Sequence, residues 1–109
     1  METLDTLKTI ALSFTNTSEA AHFDKIAFKV NNKIFVTYDA KHNRATVKLN
    51  EIDQEVFSTT NKGIIFPVEN KWGKQGWTIV DLNRVHTEVF NDIIKTGYQT
   101  VAPKKRLRK

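Results

Sequence analysis

The sequence predicts an α+β fold, a two-layer sandwich in which helices cover one face of an antiparallel sheet. Near both ends of the chain, over residues 4–14 and 82–94, apolar residues recur at spacings of three and four, as in a helix with one buried face. Between these segments, residues 26–49 alternate between apolar and polar, as strands do. The turns between the strands are short, and strands joined by short turns run antiparallel.

The first element is a helix whose apolar stripe consists of Leu4, Leu7, Ile10, Ala11 and Phe14. We expect it to begin after Thr3, because a threonine oxygen can accept a free amide of the first turn. The polar residues 16–18 predict its end and a loop.

Three strands follow, over residues 26–30, 33–38 and 44–49. The pair Asn31-Asn32 tolerates positive φ and predicts a two-residue hairpin between the first two strands. Side chains alternate between the two faces of a strand, so Ala45, Val47 and Leu49 share one face of the third strand. The sheet face away from the helices is then expected to carry three cations, Lys29, Arg44 and Lys48.

The second half continues with a short helix, one or two strands and a C-terminal helix. Asn50, with carboxylates behind it, predicts a helix that runs to about Thr59. Residues 64–66 are a short apolar run, residues 73–76 form a turn, and residues 77–80 are the last strand. The final helix is expected after a cap at Asp81 or Asn83, and its apolar stripe is Leu82, Val85, Val89, Phe90, Ile93 and Ile94.

Length and composition indicate one domain, residues 1–103, followed by a basic tail, residues 104–109, that is predicted to be disordered. The absence of cysteine excludes a disulfide scaffold, thiolate zinc sites and cysteine catalysis. Residues 1–12 carry charges and lack a signal-type apolar run, and no segment resembles a membrane span. We therefore expect a monomeric cytoplasmic protein with no membrane partner.

The net charge of +5 is unevenly distributed. The tail contains five lysines and arginines, whereas residues 1–103 hold twelve basic and twelve acidic side chains. Within this neutral body, residues 25–50 hold six cations against one aspartate, and residues 51–60 hold three carboxylates and no cation. The basic pI is therefore a property of the tail, and only the internal asymmetry indicates a cationic surface on the fold.

Two groups of residues are candidates for contacting phosphates. Lys29, Lys33, Arg44 and Lys48 belong to strands, where cations spread over a surface suit a polyanion. Their alternative role is a solvated face that also discourages edge aggregation.

The second group is the stretch NKWGKQGW at residues 70–77, which interleaves Lys71 and Lys74 with Trp72 and Trp77. Such indoles stack on bases or enter a groove. The alternative is that Trp77 begins a core strand and Trp72 covers the sheet edge.

Catalytic and metal-binding signals are weak. The three histidines lack ligand spacing, and the four glycines form no phosphate-binding or dinucleotide pattern. We predict no metal, no cofactor and no catalytic residue. His22 beside Asp24 is one candidate acid–base pair, and its alternative is a histidine that packs or hydrogen-bonds locally.

The order of these segments resembles the MmcQ/YjbR family of small bacterial proteins. The matching stretches are HF at 22–23, AFKV at 27–30, KIFV at 33–36, VKL at 47–49, PVENKWG at 67–73, GWTIVDL at 76–82 and VAPKK at 101–105. The resemblance implies a frataxin-like (CyaY-like) fold and a "double wing" whose hairpins present basic surface to DNA. This sequence departs from the family pattern at Gly76, where many relatives have a histidine.

Three functions follow as hypotheses. The first is a non-enzymatic DNA-binding protein that contacts phosphates through Lys29, Lys33, Arg44, Lys48, Lys71, Trp72, Lys74 and the tail. The second is a module that binds a small molecule or a protein on the open sheet face. The third is an enzyme that uses His22 and Asp24.

Overall fold

A computed structural model describes residues 1–103, which form four helices and six strands. The basic tail at 104–109 lies outside the described residues. In chain order the elements are α1 (Leu4–Ala11), β1 (Thr17–His22), β2 (Lys25–Val30), β3 (Lys33–Asp39), β4 (Arg44–Lys48), α2 (Glu51–Thr60), β5 (Ile65–Pro67), α3 (Lys71–Lys74), β6 (Trp77–Asp81) and α4 (Thr87–Val101).

The six strands form one sheet in the order β1-β2-β3-β4-β6-β5, and every neighbouring pair is antiparallel. The predicted α+β class and antiparallel sheet are therefore confirmed. Strand β6 lies between β4 and β5, so the second half of the chain completes the sheet begun by the first half. Within residues 1–103, every helix is too short or too polar to cross a bilayer.

The predicted caps of the first two helices are present. Thr3 accepts the amide of Thr6 in a reciprocal capping box, and Asn50 accepts the amide of Asp53 at 2.7 Å. Helix α2 ends at Thr60, one residue beyond the predicted end.

Several predicted boundaries are wrong. Helix α1 ends at Ala11, so Phe14 packs on the core from the loop that follows. Residues 17–18 belong to strand β1, not to a loop, and β1 pairs along its length with β2. Its sequence, TSEAAH, has no large apolar residue, so backbone hydrogen bonds form an edge strand that no hydrophobic period reveals.

The last helix begins at Thr87 behind His86, not behind Asp81 or Asn83. Leu82 and Val85 are buried in the preceding turn, where Asp81 accepts the amide of Asn83. They extend the apolar stripe without being helical. The predicted turn at 73–76 likewise overlaps the single-turn helix α3.

The core lies between the sheet and the helices α1 and α4. The sheet buries Val36, Val47 and Val80 on this side, and Leu7 of α1 and three large apolar residues of α4 are buried with them, namely Phe90, Ile93 and Ile94. A β-bulge between β2 and β3 leaves both Phe35 and Val36 buried. The ring of Phe35 meets Tyr98 of α4 edge-on at 5.7 Å.

Helix α4 approaches the sheet closely at Gly97. A Cβ atom added there would lie 2.4 Å from Cγ1 of Val47, 3.4 Å from the carbonyl oxygen of Lys48 and 3.5 Å from that of Phe35. Glycine is the poorest helix former after proline, so its presence inside α4 is explained by this packing.

We expect Gly97→Ala to destabilise the protein by about 1–3 kcal/mol, although alanine favours a helix, because the added methyl overpacks Val47. Urea unfolding measures the effect. The control is Gln99→Ala on an exposed position of the same helix. A Gly97→Ala protein as stable as the parent would show that the helix can move away from the sheet at no cost.

Candidate functional site

The face of the sheet opposite the helices, here called the open face, follows from the strand register. Val36, Val47 and Val80 point to the core, so their strand neighbours point the other way. The pairs Thr37↔Thr46 and Thr46↔Ile79 cross the centre of this face. The larger or charged residues on the open face are Lys25, Lys29, Ile34, Asp39, Arg44, Lys48, Phe66, Trp77, Ile79 and Asp81.

A concavity of about 760 Å³ runs along the open face from the β1–β2 turn to α3. Its floor contains Ile34, Thr37 and Thr46 from the central strands. Residues 22–25 lie at one end, and Val68, Trp72 and Trp77 line the other. The lining is largely apolar, whereas its polar groups belong mainly to the β1–β2 turn.

Phe23 stands at the tip of the two-residue turn between β1 and β2. Its φ is 58°, and it is 94% exposed. A two-residue hairpin turn with positive φ at its first position usually has glycine there, because a side chain is strained. Sequence reasoning missed this residue as a site candidate, because β1 gives no apolar signal to define the turn.

Helix α3 places Trp72 at the other end of the concavity. Asn70 precedes the helix with φ of 82° and accepts the amide of Trp72 at 2.9 Å. Gly73 fits against the chain so closely that a Cβ would lie 1.9 Å from the carbonyl oxygen of Val68. Trp72 is half exposed as a result of this arrangement, whereas Trp77 begins β6 and is partly buried.

Gln54 of α2 joins the elements that carry the two tryptophans. Its amide nitrogen lies 3.0 Å from the carbonyl oxygen of Gly73, 3.3 Å from that of Trp77 and 3.0 Å from Oγ1 of Thr78. This is a residue that the sequence did not single out, because a glutamine inside a polar helix gives no signal of its own.

The backbone at Gly76 leaves no room for a side chain. Its φ is 106°, and a Cβ would lie 1.9 Å from the carbonyl oxygen of Leu49. The carbonyl of Gly76 accepts the amide of Leu49 at 2.9 Å, so the two chains are held together there. A histidine at this position requires a different local backbone.

Three of the predicted cations share the open face. The guanidinium of Arg44 lies 5.9 Å from the centre of the Phe66 ring, and the ammonium of Lys48 lies 5.4 Å from that of Trp77. Lys29 pairs across the strands with Ile34. Among the described residues, none of the three takes part in an ion pair, since the four pairs are Lys8–Glu19, Lys25–Asp24, His42–Asp39 and Arg84–Asp81.

The other predicted cations are placed differently. Lys33 pairs with the buried Val30, so it lies on the helix side of the sheet and is exposed there. Lys71 and Lys74 flank Trp72 on α3 and are both exposed. The structure thus brings Lys29, Arg44 and Lys48 to one face, adds α3 at its end, and separates Lys33 from them.

The candidate pair His22 and Asp24 lines one end of the concavity without a hydrogen bond between them among the described contacts. The His22 ring meets Phe23 at 4.9 Å, and the Asp24 carboxylate lies 3.6 Å from Lys25. The histidine with a carboxylate partner is His42, whose Nδ1 lies 2.9 Å from Asp39.

Partial burial raises the pKa of Asp39, but other contacts outweigh it. Hydrogen bonds from His42 and the amide of Lys41, with the charges of His42 and Lys25, hold the pKa below its ordinary 3.8.

The family model YjbR matches residues 12–100. The chain belongs to the YjbR family. The crystal structure of protein DR2400 from Deinococcus radiodurans, with a DUF419 domain, has a TM-score of 0.81 and 22% identity to this chain. The match covers 93% of this chain and 79% of that one, and it shows a shared fold. No curated protein matches the sequence.

We expect Gln54→Leu to lower the free energy of unfolding by about 1–3 kcal/mol, because Thr78 and two carbonyls lose their shared donor. The looser α3 exposes Trp72 further, so tryptophan emission shifts to the red. Fluorescence and urea unfolding measure both effects. Glu55→Leu, at the next and exposed position of α2, is the control. Unchanged emission would contradict the positioning role of Gln54.

The pKa of Asp39 gives a pH dependence with a definite sign. A carboxyl whose folded pKa is depressed stabilises the fold above its unfolded pKa and loses that effect as pH falls through the folded value. Asp39→Asn should therefore lower stability at neutral pH and reduce the stability lost between about pH 5 and about pH 3. Urea midpoints across this range, with the exposed Asp92→Asn as control, measure it. An unchanged pH profile would refute the contribution of Asp39.

Proposed function

We propose that this YjbR-family protein binds nucleic acid, without catalysis, through the open face of its sheet. The observation that carries the proposal is the convergence of Lys29, Arg44 and Lys48 on one face, beside a concavity with aromatic walls. Cations that already have carboxylate partners are poor phosphate ligands. Among the described residues these three take part in no ion pair. The two carboxylates opposite Arg44 in the register, Asp39 and Asp81, pair with His42 and Arg84 instead.

The spacing of the cations suits a chain of phosphates. Arg44 and Lys48 are four residues apart on one strand, which separates their Cα atoms by about 13 Å. Lys29 lies two strands away, at about 10 Å across the sheet. Polyanions are held by charges distributed over such distances, because each neutralised phosphate releases counterions.

The neighbouring helices α2 and α3 differ in charge. Helix α2 carries three carboxylates and no cation, whereas α3 carries Lys71 and Lys74 and no carboxylate. A polyanion is therefore repelled from α2 and attracted to the open face and to α3, which orients its approach.

The family resemblance adds a frataxin-like fold with basic wings to this proposal. The β2–β3 hairpin is the natural wing of the chain, with Asn31 and Asn32 both at positive φ in its turn. Lys29 and Lys33 lie on opposite sides of this hairpin. Our proposal therefore assigns phosphate contact to Lys29 and leaves Lys33 outside the interface.

A second candidate function is the binding of a small organic molecule. The concavity of about 760 Å³ is within the range of ligand sites, and three aromatic residues line it. A mononucleotide and an oligonucleotide compared in the same assay distinguish this function from the first. The enzyme hypothesis has less support, because Asp24 lies beside Lys25 and the His22 ring packs on Phe23.

The test removes charge from the open face while keeping side-chain length. In the full-length protein, the tail is first neutralised by changing Lys104, Lys105, Arg106, Arg108 and Lys109 to Gln. In that background, we expect Lys29→Gln, Arg44→Gln and Lys48→Gln together to weaken oligonucleotide binding. We expect the slope of log affinity against log salt to become shallower by about 2 to 3. Fluorescence anisotropy from about 50 to 200 mM salt measures both.

The matched control changes three exposed lysines outside the open face to Gln in the same background, namely Lys33, Lys62 and Lys95. We expect its salt slope to stay near that of the tail-neutralised parent. The proposal is wrong if the tail-neutralised protein no longer binds. It is equally wrong if the two triple variants bind alike.

A further inference from the structure

Phe23 lowers the stability of the fold. Its ring is 94% exposed, and its φ of 58° is a conformation that bulky side chains rarely adopt. Glycine, asparagine or aspartate would suit the same turn better. The aromatic contact of this ring among the described residues is with His22, itself exposed. The fold therefore gains little from a phenylalanine here.

Phe23 lies at one end of the concavity and Trp72 lies at the other. Trp72 is half exposed, on a helix that the Asn70 cap and the close contact of Gly73 hold in place. Two exposed aromatic rings at the ends of one apolar concavity are typical of a surface that binds a partner. Lys25 lines the concavity, and Arg44 and Lys48 lie at the two ends of β4, on either side of its floor residue Thr46.

Exposed rings and spread cations on one sheet face are complementary to a nucleic-acid strand whose bases are unpaired. Base stacking on an aromatic side chain needs a free π face, which a duplex covers with its neighbouring base pairs. The phosphates of such a strand remain outside the concavity and can reach the cations of the open face beside it. A duplex can satisfy the cations but leaves Phe23 and Trp72 without a partner.

We propose that the open face binds a single strand, with unpaired bases stacked on Phe23 at one end and on Trp72 at the other. This inference rests on the proposed function and names its substrate class. It also explains why the β1–β2 turn keeps a strained, solvent-exposed phenylalanine.

The experiment separates fold stability from binding at Phe23. The full-length, tail-neutralised protein is titrated into labelled dT12, a duplex of equal length, and a 12-mer of abasic deoxyribose phosphate. We expect dT12 to bind most tightly. Phe23→Gly should weaken dT12 binding by about 5- to 100-fold, as loss of one stacked base does, while leaving the melting temperature equal or higher. Trp72→Ala should weaken dT12 binding within the same range.

Three further variants control for chemistry at these positions. Phe23→Tyr keeps the ring and should keep the affinity, whereas Phe23→Leu keeps apolar bulk without a π face and should lose it. Ile52→Ala removes a different exposed apolar residue, on α2, and should change neither binding nor the duplex preference.

The outcomes distinguish this inference from the proposed function. If duplex and abasic strand bind as tightly as dT12, and Phe23→Gly has no effect, the stacking inference is wrong while cation-mediated binding stands. Thymidine monophosphate is tested in the same assay as an unlabelled competitor. If it binds as tightly as dT12, the inference that the ligand is a single strand is wrong, and the small-molecule function replaces it. If none of the nucleic acids binds, the proposed function fails and the inference fails with it.

Discussion

The structure depends on the close packing of α4 against the centre of the sheet. Gly97 lets the helix backbone come within reach of Val47, and the large apolar residues of α4 then fill the space above β3 and β4. With α1 beside α4, this packing places the hydrophobic core on one side of the sheet. Among the helices of residues 1–103, none packs over the centre of the opposite side, so its exposure is a consequence of the same arrangement.

The open face is partly covered by its own side chains. The guanidinium of Arg44 lies over the Phe66 ring, and the ammonium of Lys48 lies over the Trp77 ring. Phe23 is the exception, because nothing in the described chain covers it and its backbone is strained. The backbone conformation at this position favours glycine, but the residue is phenylalanine. Conflicts of this kind concentrate at functional sites.

Much of the fold was predictable because large apolar residues mark it. The stripe of α1 from Leu4 to Ala11, the alternation of β4 and the caps at Thr3 and Asn50 are present. Phe14 lies beyond α1, and the β-bulge interrupts the alternation of β2 and β3. Strand β1 was not predictable, since small and polar residues form it through backbone pairing alone. The start of α4 was misplaced because Leu82 and Val85 continue its apolar spacing from within a turn.

The site was predictable only where strand alternation decides the face. Alternation correctly placed Lys29, Arg44 and Lys48 together, but the two-residue hairpin sends Lys33 to the other side. Phe23 and Gln54 became visible only through tertiary geometry, since one depends on an unpredicted turn and the other on contacts 19 to 24 residues away.

The claim that the open face is the binding surface is tested most directly by mapping it. Backbone amide shifts of the full-length protein, recorded by NMR during titration with dT12, locate the contact residue by residue. The account predicts changes on the β1–β2 turn, on β3, β4 and β6, and on α3. Changes confined to α1 and α4, or to residues 104–109, would contradict it.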